Sequence, residues 1–472
     1  MVMIELERKP KIKIINGKKY AYDVKSFWDK EQKKYRKKSV YLGRVIDDEN
    51  SIIEKTQPTR EDPSLILAYG DTYTINACVK QSVYYDIFST LMPGQSDTLM
   101  SLVCYKLLRT SAMQHAQTWA RGNYASLLYK NAAISSQQIS VFLKKLGNEK
   151  IWRNFFNSYI KKITGGKTGI VIDSTGLPNE INFPLSAWGC HGGGTERETR
   201  LVMVIEGNTG VPIYFRYMAG NIVDVSSLSN TIEELKAMGI NMSFALIDAG
   251  YYSKANIAEL YANNISFLTR LPANRTLYKK LIDEHSEDME RASNIVTYGK
   301  RVLYIKQIQV DLFSYSGYAY IVCDIKRKAD EITKFLMGAK EDGLNEPEID
   351  CALKSKGKFV LISSSDIPIT DVIPLYYTRQ AAENLFGISK SYLDVLPLRT
   401  HSVDTFRGYL MLTFISLITY IEYKRKLCCK YTVEEALMEM SNLMCRVYGD
   451  NILISEQSKK MKEIISLVEY GG

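Results

Sequence analysis

Between residues 167 and 271 the hydrophobic pattern changes period in an order that few folds satisfy. KTGIVIDSTG (167–176) is a short β-branched run ending in Asp173, and RLVMVIEG and VPIYFRYMAG follow as strands joined by the turn Gly207-Asn208-Thr209-Gly210. Asp224 is placed as the cap of a helix running to Met238, MSFALID as a fourth strand ending at Asp248, residues 254–263 as a helix, and ISFLTRL as a fifth strand. Three strands, helix, strand, helix, strand calls for an α/β domain around a mixed sheet.

A second constraint lies at residues 376–390, YYTRQAAENLFGISK. Read as one helix at about 100° per residue, it sets Tyr376, Arg379, Glu383 and Lys390 on one narrow stripe, with Ala381, Leu385, Ile388 and Tyr392 as an apolar back. One carboxylate is thereby held among cations on a rigid element. KFVLISSS (358–365) is the strand that leads into it.

The spacing Tyr376, Arg379, Glu383, Lys390 resembles, gap for gap, the Tyr-Arg-Glu-Lys signature of DDE transposases of the insertion-sequence-four type. The resemblance covers about Thr168 to Tyr423 and implies a ribonuclease-H-like catalytic domain, α/β with a mixed sheet, in which Asp173 and Asp248 end neighbouring strands and Glu383 faces them. It implies catalytic and metal-binding roles for Asp173, Asp248 and Glu383. Three carboxylates without soft ligands suit Mg²⁺, with Mn²⁺ as substitute, and two ions would activate water or a sugar hydroxyl and stabilise the leaving oxygen. In that scheme Asp173 bridges the two ions. Tyr376, Arg379 and Lys390 would bind flanking phosphates, with Arg407 a further DNA contact. Metal-dependent cleavage at insertion-sequence ends, strand transfer, terminal inverted repeats and target DNA as partners, and a homodimer on DNA are implied likewise. A nuclease that cuts without joining and a non-catalytic DNA-binding descendant fit the same residues.

The same comparison divides the chain. Residues 1–60 read as a basic β-hairpin region, with strands KKYAYDVKSFW and KSVYLGRV around the turn DKEQKKYRK. Such a hairpin can track phosphates or simply be a soluble edge. Residues 61–160 read as a helical, DNA-binding region, with helices at 96–109, 124–130 and 135–146, the last capped by Ser135. The core's first part, 161–274, is followed by a β-rich insertion at 275–357, the core's second part at 358–430, and C-terminal helices at 431–472. In the insertion Tyr298, Tyr315 and Tyr318 are the available aromatics, since it lacks tryptophan.

Composition agrees without deciding. Lys and Arg number 61 against 52 for Asp and Glu, a net charge of +9 that favours a polyanionic partner. Eight cysteines without a C-x-x-C pair argue against a zinc ribbon or disulfide framework. MVMIELERKPK lacks a signal peptide's apolar run, and Tyr409 to Ile421 is too short to span a bilayer, so it reads as a buried helix. A cytoplasmic, nucleoid-associated bacterial protein is expected. Cys190-His191 beside three glycines reads as a flexible loop, Trp188 as a core anchor rather than a base-stacking ring, and Asp71, Asp224 and Asp366 as turn or capping residues.

Overall fold

The computed structural model describes residues 10–15, 18–29, 33–45, 52–54, 63–165, 167–191, 194–339, 345–393, 395–396 and 398–471. By contact the chain divides into two compact units, one from residues 1–66 and 446–453, the other from 67–445 and 454–472. In the first, β1 (Lys11–Ile15), β2 (Lys18–Asp29), β3 (Lys34–Val45) and β4 (Ile52–Glu54) form a sheet in that order. The pairs are antiparallel. The expected lysine-rich hairpin is present, but β3 begins at Lys34, inside the segment read as a turn. Trp28 lies edge-on to Tyr35 at 4.9 Å, and that cross-strand pair favours pairing over a longer loop.

A short strand, β5 (Leu65–Ala68), leads into helices at Gly70–Val79, Val83–Leu91, Ser96–Leu108, Ser136–Leu146 and Glu149–Thr164. Ser135 caps its helix as expected, and the structure adds a reciprocal box with Gln138. The sheet that follows contains β6 (Lys167–Pro178), β7 (Ala187–His191), β8 (Gly194–Glu206), β9 (Pro212–Ala219), β10 (Asn241–Ile247), β11 (Ser266–Arg270), β12 (Ile295–Tyr298), β13 (Arg301–Leu312), β14 (Tyr315–Asp324) and β15 (Lys358–Ser363). Its order is β12-β13-β14-β15-β11-β10-β6-β8-β7, with β9 also on β8. Only the β6–β10 and β10–β11 pairs are parallel. β10 and β11 are apolar on both sides, the pattern of strands covered by helices on two faces.

Two expectations change here. The 275–357 segment is not simply β-rich: it carries helices at Thr276–His285, Ile325–Ala339 and Glu346–Ser355, and its strands continue the main sheet through β14 and β15. Burying strand edges against an existing sheet satisfies their backbone groups without a second core. The tail is not purely helical either, because strands at Met444–Tyr448 and Asn451–Ile454 separate the helices Val433–Ser441 and Lys459–Tyr470.

The Val403–Lys426 helix is buried from Phe406 through Tyr420 almost without interruption, which a helix can be only at the centre of a fold. Phe414 meets Phe156, Tyr159 and Phe215 in one aromatic cluster. No helix among the described residues is long and apolar enough to cross a membrane.

Candidate active site

Asp173 lies within β6 rather than at its end, opposite Met203 of β8. Ile172 pairs with Ile247 on the parallel strand β10, so Asp248, the next residue, emerges beside Asp173. Asp248 caps the one-turn helix Ala249–Tyr251, and that turn ends the strand. Both aspartates therefore leave the same region of the sheet.

The 376–390 stretch is not one helix. A helix Ile369–Tyr377 ends where Thr378 Oγ1 donates to the Leu375 carbonyl at 2.7 Å, a second runs from Gln380 to Gly387, and Ile388–Tyr392 is a π turn. Side-chain capture of a backbone acceptor competes with helix continuation, and Pro374 already lacks a donor in the first segment. The break frees Arg379 to turn toward the sheet. Its Nη1 donates to Asp248 Oδ1 at 2.6 Å and lies 3.6 Å from Asp173 Oδ2, while Nη2 donates to Glu383 Oε1 at 2.7 Å. One guanidinium thus gathers three carboxylates that are 210 positions apart at the extremes of the sequence, 383 against 173.

Burial pushes Asp173 up to about 7; Arg379 opposes this, and the negative charges of Asp248 and Glu383 add to it. Burial alone would lower the Arg379 value, but the neighbouring carboxylates, Asp248 first, hold it above its ordinary range. With Arg379 between them, the carboxylates do not by themselves form a metal-ready cluster, and no other group of three acidic, His or Cys side chains does so among the described residues.

Tyr376, Lys390 and Arg407 each have partners within the fold. Tyr376 is only 8% exposed, its ring centre 5.9 Å from Arg379 Cζ, and it lines the cleft beside Glu383. Lys390 donates to Thr175 Oγ1 at 2.7 Å, pinning the π turn to β6. Burial lowers the Lys390 value. Arg407 donates to Tyr217 Oη at 2.6 Å and to the Gly147 carbonyl at 2.8 Å. These bonds from Nε and Nη1 tie the central helix to β9 and to the end of the Ser136–Leu146 helix.

Other residues escaped the sequence reading. Asp224 makes no capping bond; its Oδ1 accepts from Ser174 Oγ at 2.6 Å and from Arg200 Nη1 at 3.0 Å, bracing the residue beside Asp173. Arg200 Nη2 lies 3.7 Å from Glu198 Oε1, and Glu198 is fully buried. The signal was present in TERETR, where charges at 196, 198 and 200 share one face of a strand that is apolar only from Leu201 to Ile205. Beside Glu383 a cleft of about 210 Å³ carries Arg270 and Arg327 on its wall with Arg379. Cys190-His191 belongs to β7, paired with β8, rather than to a flexible loop. Trp188, expected in the core, is 64% exposed because it falls on the outward side of that hairpin.

A family profile described as the transposase DDE domain matches residues 164–419. The chain belongs to the transposase DDE-domain family. The matched span of this DDE-domain transposase takes in Asp173, Asp248, Arg379, Glu383 and most of the central helix. No curated protein matches the sequence. Among solved structures, a piggyBac transposase synaptic complex with hairpin DNA aligns with a TM-score of 0.38 at 12% identity, covering 84% of this chain and 71% of that one.

Proposed function

We propose that this DDE-domain transposase is of the insertion-sequence-four type, cutting DNA at the ends of an insertion sequence and joining the freed 3′ hydroxyl to target DNA. The observation that carries the reading is the convergence of Asp173, Asp248 and Glu383 on the Arg379 guanidinium. The Tyr376, Arg379, Glu383, Lys390 spacing supports the type. The strand order β9-β8-β6-β10-β11, with the last two parallel to β6, supports a ribonuclease-H-like domain.

The donor set fits a divalent cation. Hard carboxylate oxygens surround a position now filled by a cation, and burial, with a smaller contribution from Asp248 and Glu383, raises Asp173 against the opposing charge of Arg379. Asp173, Asp248 and Glu383 would hold Mg²⁺ or Mn²⁺, which supplies Lewis-acid stabilisation and an activated oxygen nucleophile when bound. Arg379 must then leave the carboxylates, and the Arg270 and Arg327 wall offers phosphates a cationic surface beside Glu383. Thr175, held by Lys390, keeps β6 in register behind Asp173. Terminal inverted repeats, target DNA, a homodimer assembled on DNA and a bacterial nucleoid setting belong to the same proposal.

The test is an oligonucleotide duplex carrying the inverted repeats that flank the gene, incubated with the protein and Mg²⁺. Cleavage and joining are expected, both lost in Asp173→Ala. Cutting without joining would favour the nuclease reading, and binding without metal-dependent nicking would leave a DNA-binding descendant.

A further inference from the structure

A second cleft, of about 210 Å³, shares no residue with the one beside Glu383. It opens where the end of the Ser96–Leu108 helix meets the Ser136–Leu146 helix and the segment entering the central helix. Lys106, Arg109 and Arg399 line it from two distant parts of the chain, and no carboxylate is among its lining residues. Lys106 is 3% exposed, with Nζ 4.6 Å from the centre of the Tyr409 ring, so its ammonium is drawn in from solvent against an aromatic face. Thr400 also lines the cleft. It is 8% exposed, and its hydroxyl is buried without a hydrogen-bond partner, a condition that costs free energy until a polar group arrives. Leu143 and Leu393 give the cleft an apolar side.

From this combination we infer that the cleft binds one nucleotide unit, its phosphate facing the three cations and Thr400, its sugar and base against the apolar side. An isolated inorganic anion would leave that apolar surface wet, whereas a nucleotide covers both. The same chemistry is offered by a nucleotide within a DNA strand and by a free nucleotide. The strand source rests on the proposed function; the free source does not.

The experiment uses the full chain, the double variant Arg109→Ala/Arg399→Ala, and Thr400→Val, which nearly preserves shape while removing the hydroxyl. Both arginines are exposed, so their removal spares the core. Binding of a fluorescein-labelled duplex is followed by anisotropy across a salt series, binding of thymidine monophosphate by calorimetry, and Mn²⁺ binding by electron paramagnetic resonance. If the strand is the source, the double variant binds duplex about tenfold more weakly at low salt, with a salt slope shallower by about one to two units, and Thr400→Val weakens it in the same direction. If a free nucleotide is the source, the variants lose thymidine monophosphate and keep the duplex. In either case Mn²⁺ binding stays unchanged. Unaltered duplex affinity and slope in the variants, together with no thymidine monophosphate binding by the parent, would overturn the inference. So would a parent that binds neither probe, while Mn²⁺ binding would still report separately on the carboxylates.

Discussion

Arg379 is the residue on which the site turns. A guanidinium bonded to two carboxylates and close to a third is a competitor for any cation those groups take. Arg379→Gln is therefore expected to tighten Mn²⁺ binding in the absence of DNA by about tenfold, the equivalent of roughly 1.4 kcal/mol for one charge-assisted contact, while weakening DNA binding. Weaker Mn²⁺ binding in a folded variant would show that the arginine organises the carboxylates rather than competing for them. Asp173 sets the pH dependence. Burial pushes its carboxyl up to about 7, and a metal ligand must be ionised, so Mn²⁺ affinity should fall by up to about tenfold per unit as pH drops below that value. A flat profile from acidic to alkaline buffer would remove Asp173 from the ligand set.

At the scale of elements, β6 is held from two sides, by Lys390 through Thr175 and by Asp224 through Ser174. Asp224 acts on Asp173 only through its neighbour, as a positioning residue. Asp224→Ala is expected to lower Mn²⁺ affinity by about tenfold, with Asp224→Asn recovering part of it by keeping an acceptor for Ser174. Equal affinity in all three proteins, each shown to be folded by its thermal melt, would reduce the aspartate to a packing role. The β7–β8 hairpin carries Trp188 outward, opposite Arg197. An exposed indole beside a guanidinium offers a stacking face for an unpaired base. Trp188→Phe should weaken binding of single-stranded DNA by less than Trp188→Ala, and identical affinities would dismiss the face.

For the molecule as a whole, the buried helix Val403–Lys426 ties the helical region to the sheet and contains an ionisable group that resists burial. Burial pushes Glu422 up to about 7, while Ser82 and the nearby Arg425 and Lys426 oppose it. An acid whose folded value exceeds its unfolded one releases its proton first in the unfolded chain. Its contribution to stability therefore falls as pH rises from about 4.5 to about 7 and stays low above. Glu422→Gln should gain about 1–3 kcal/mol over the parent in urea unfolding at alkaline pH and show little gain near pH 4.5. A gain that does not depend on pH would point to packing instead.

Much of this architecture was legible in the letters because it depends on local periodicity. Short apolar and β-branched runs located β6 and β8 to β11, Ser135 was readable as an N-cap, and a continuous apolar run marked the central helix. The resemblance of the Tyr376, Arg379, Glu383, Lys390 spacing to a transposase signature pointed to Asp173, Asp248 and Glu383. What spacing could not supply was where a side chain turns once its element is packed. The Thr378 break rotates Arg379 onto the carboxylates and leaves Tyr376 beside it, Arg407 is engaged by Tyr217, and Asp224 faces Ser174 instead of a helix terminus. Nor could a strand's own pattern reveal that β12 to β14 join an existing sheet, since pairing depends on which edge is free when the strand arrives. Sequence by itself determined which residues are candidates for the chemistry and which elements bear them. Only the tertiary structure decided their orientation and partners, because those follow from contacts between segments too distant along the chain for any local pattern to record.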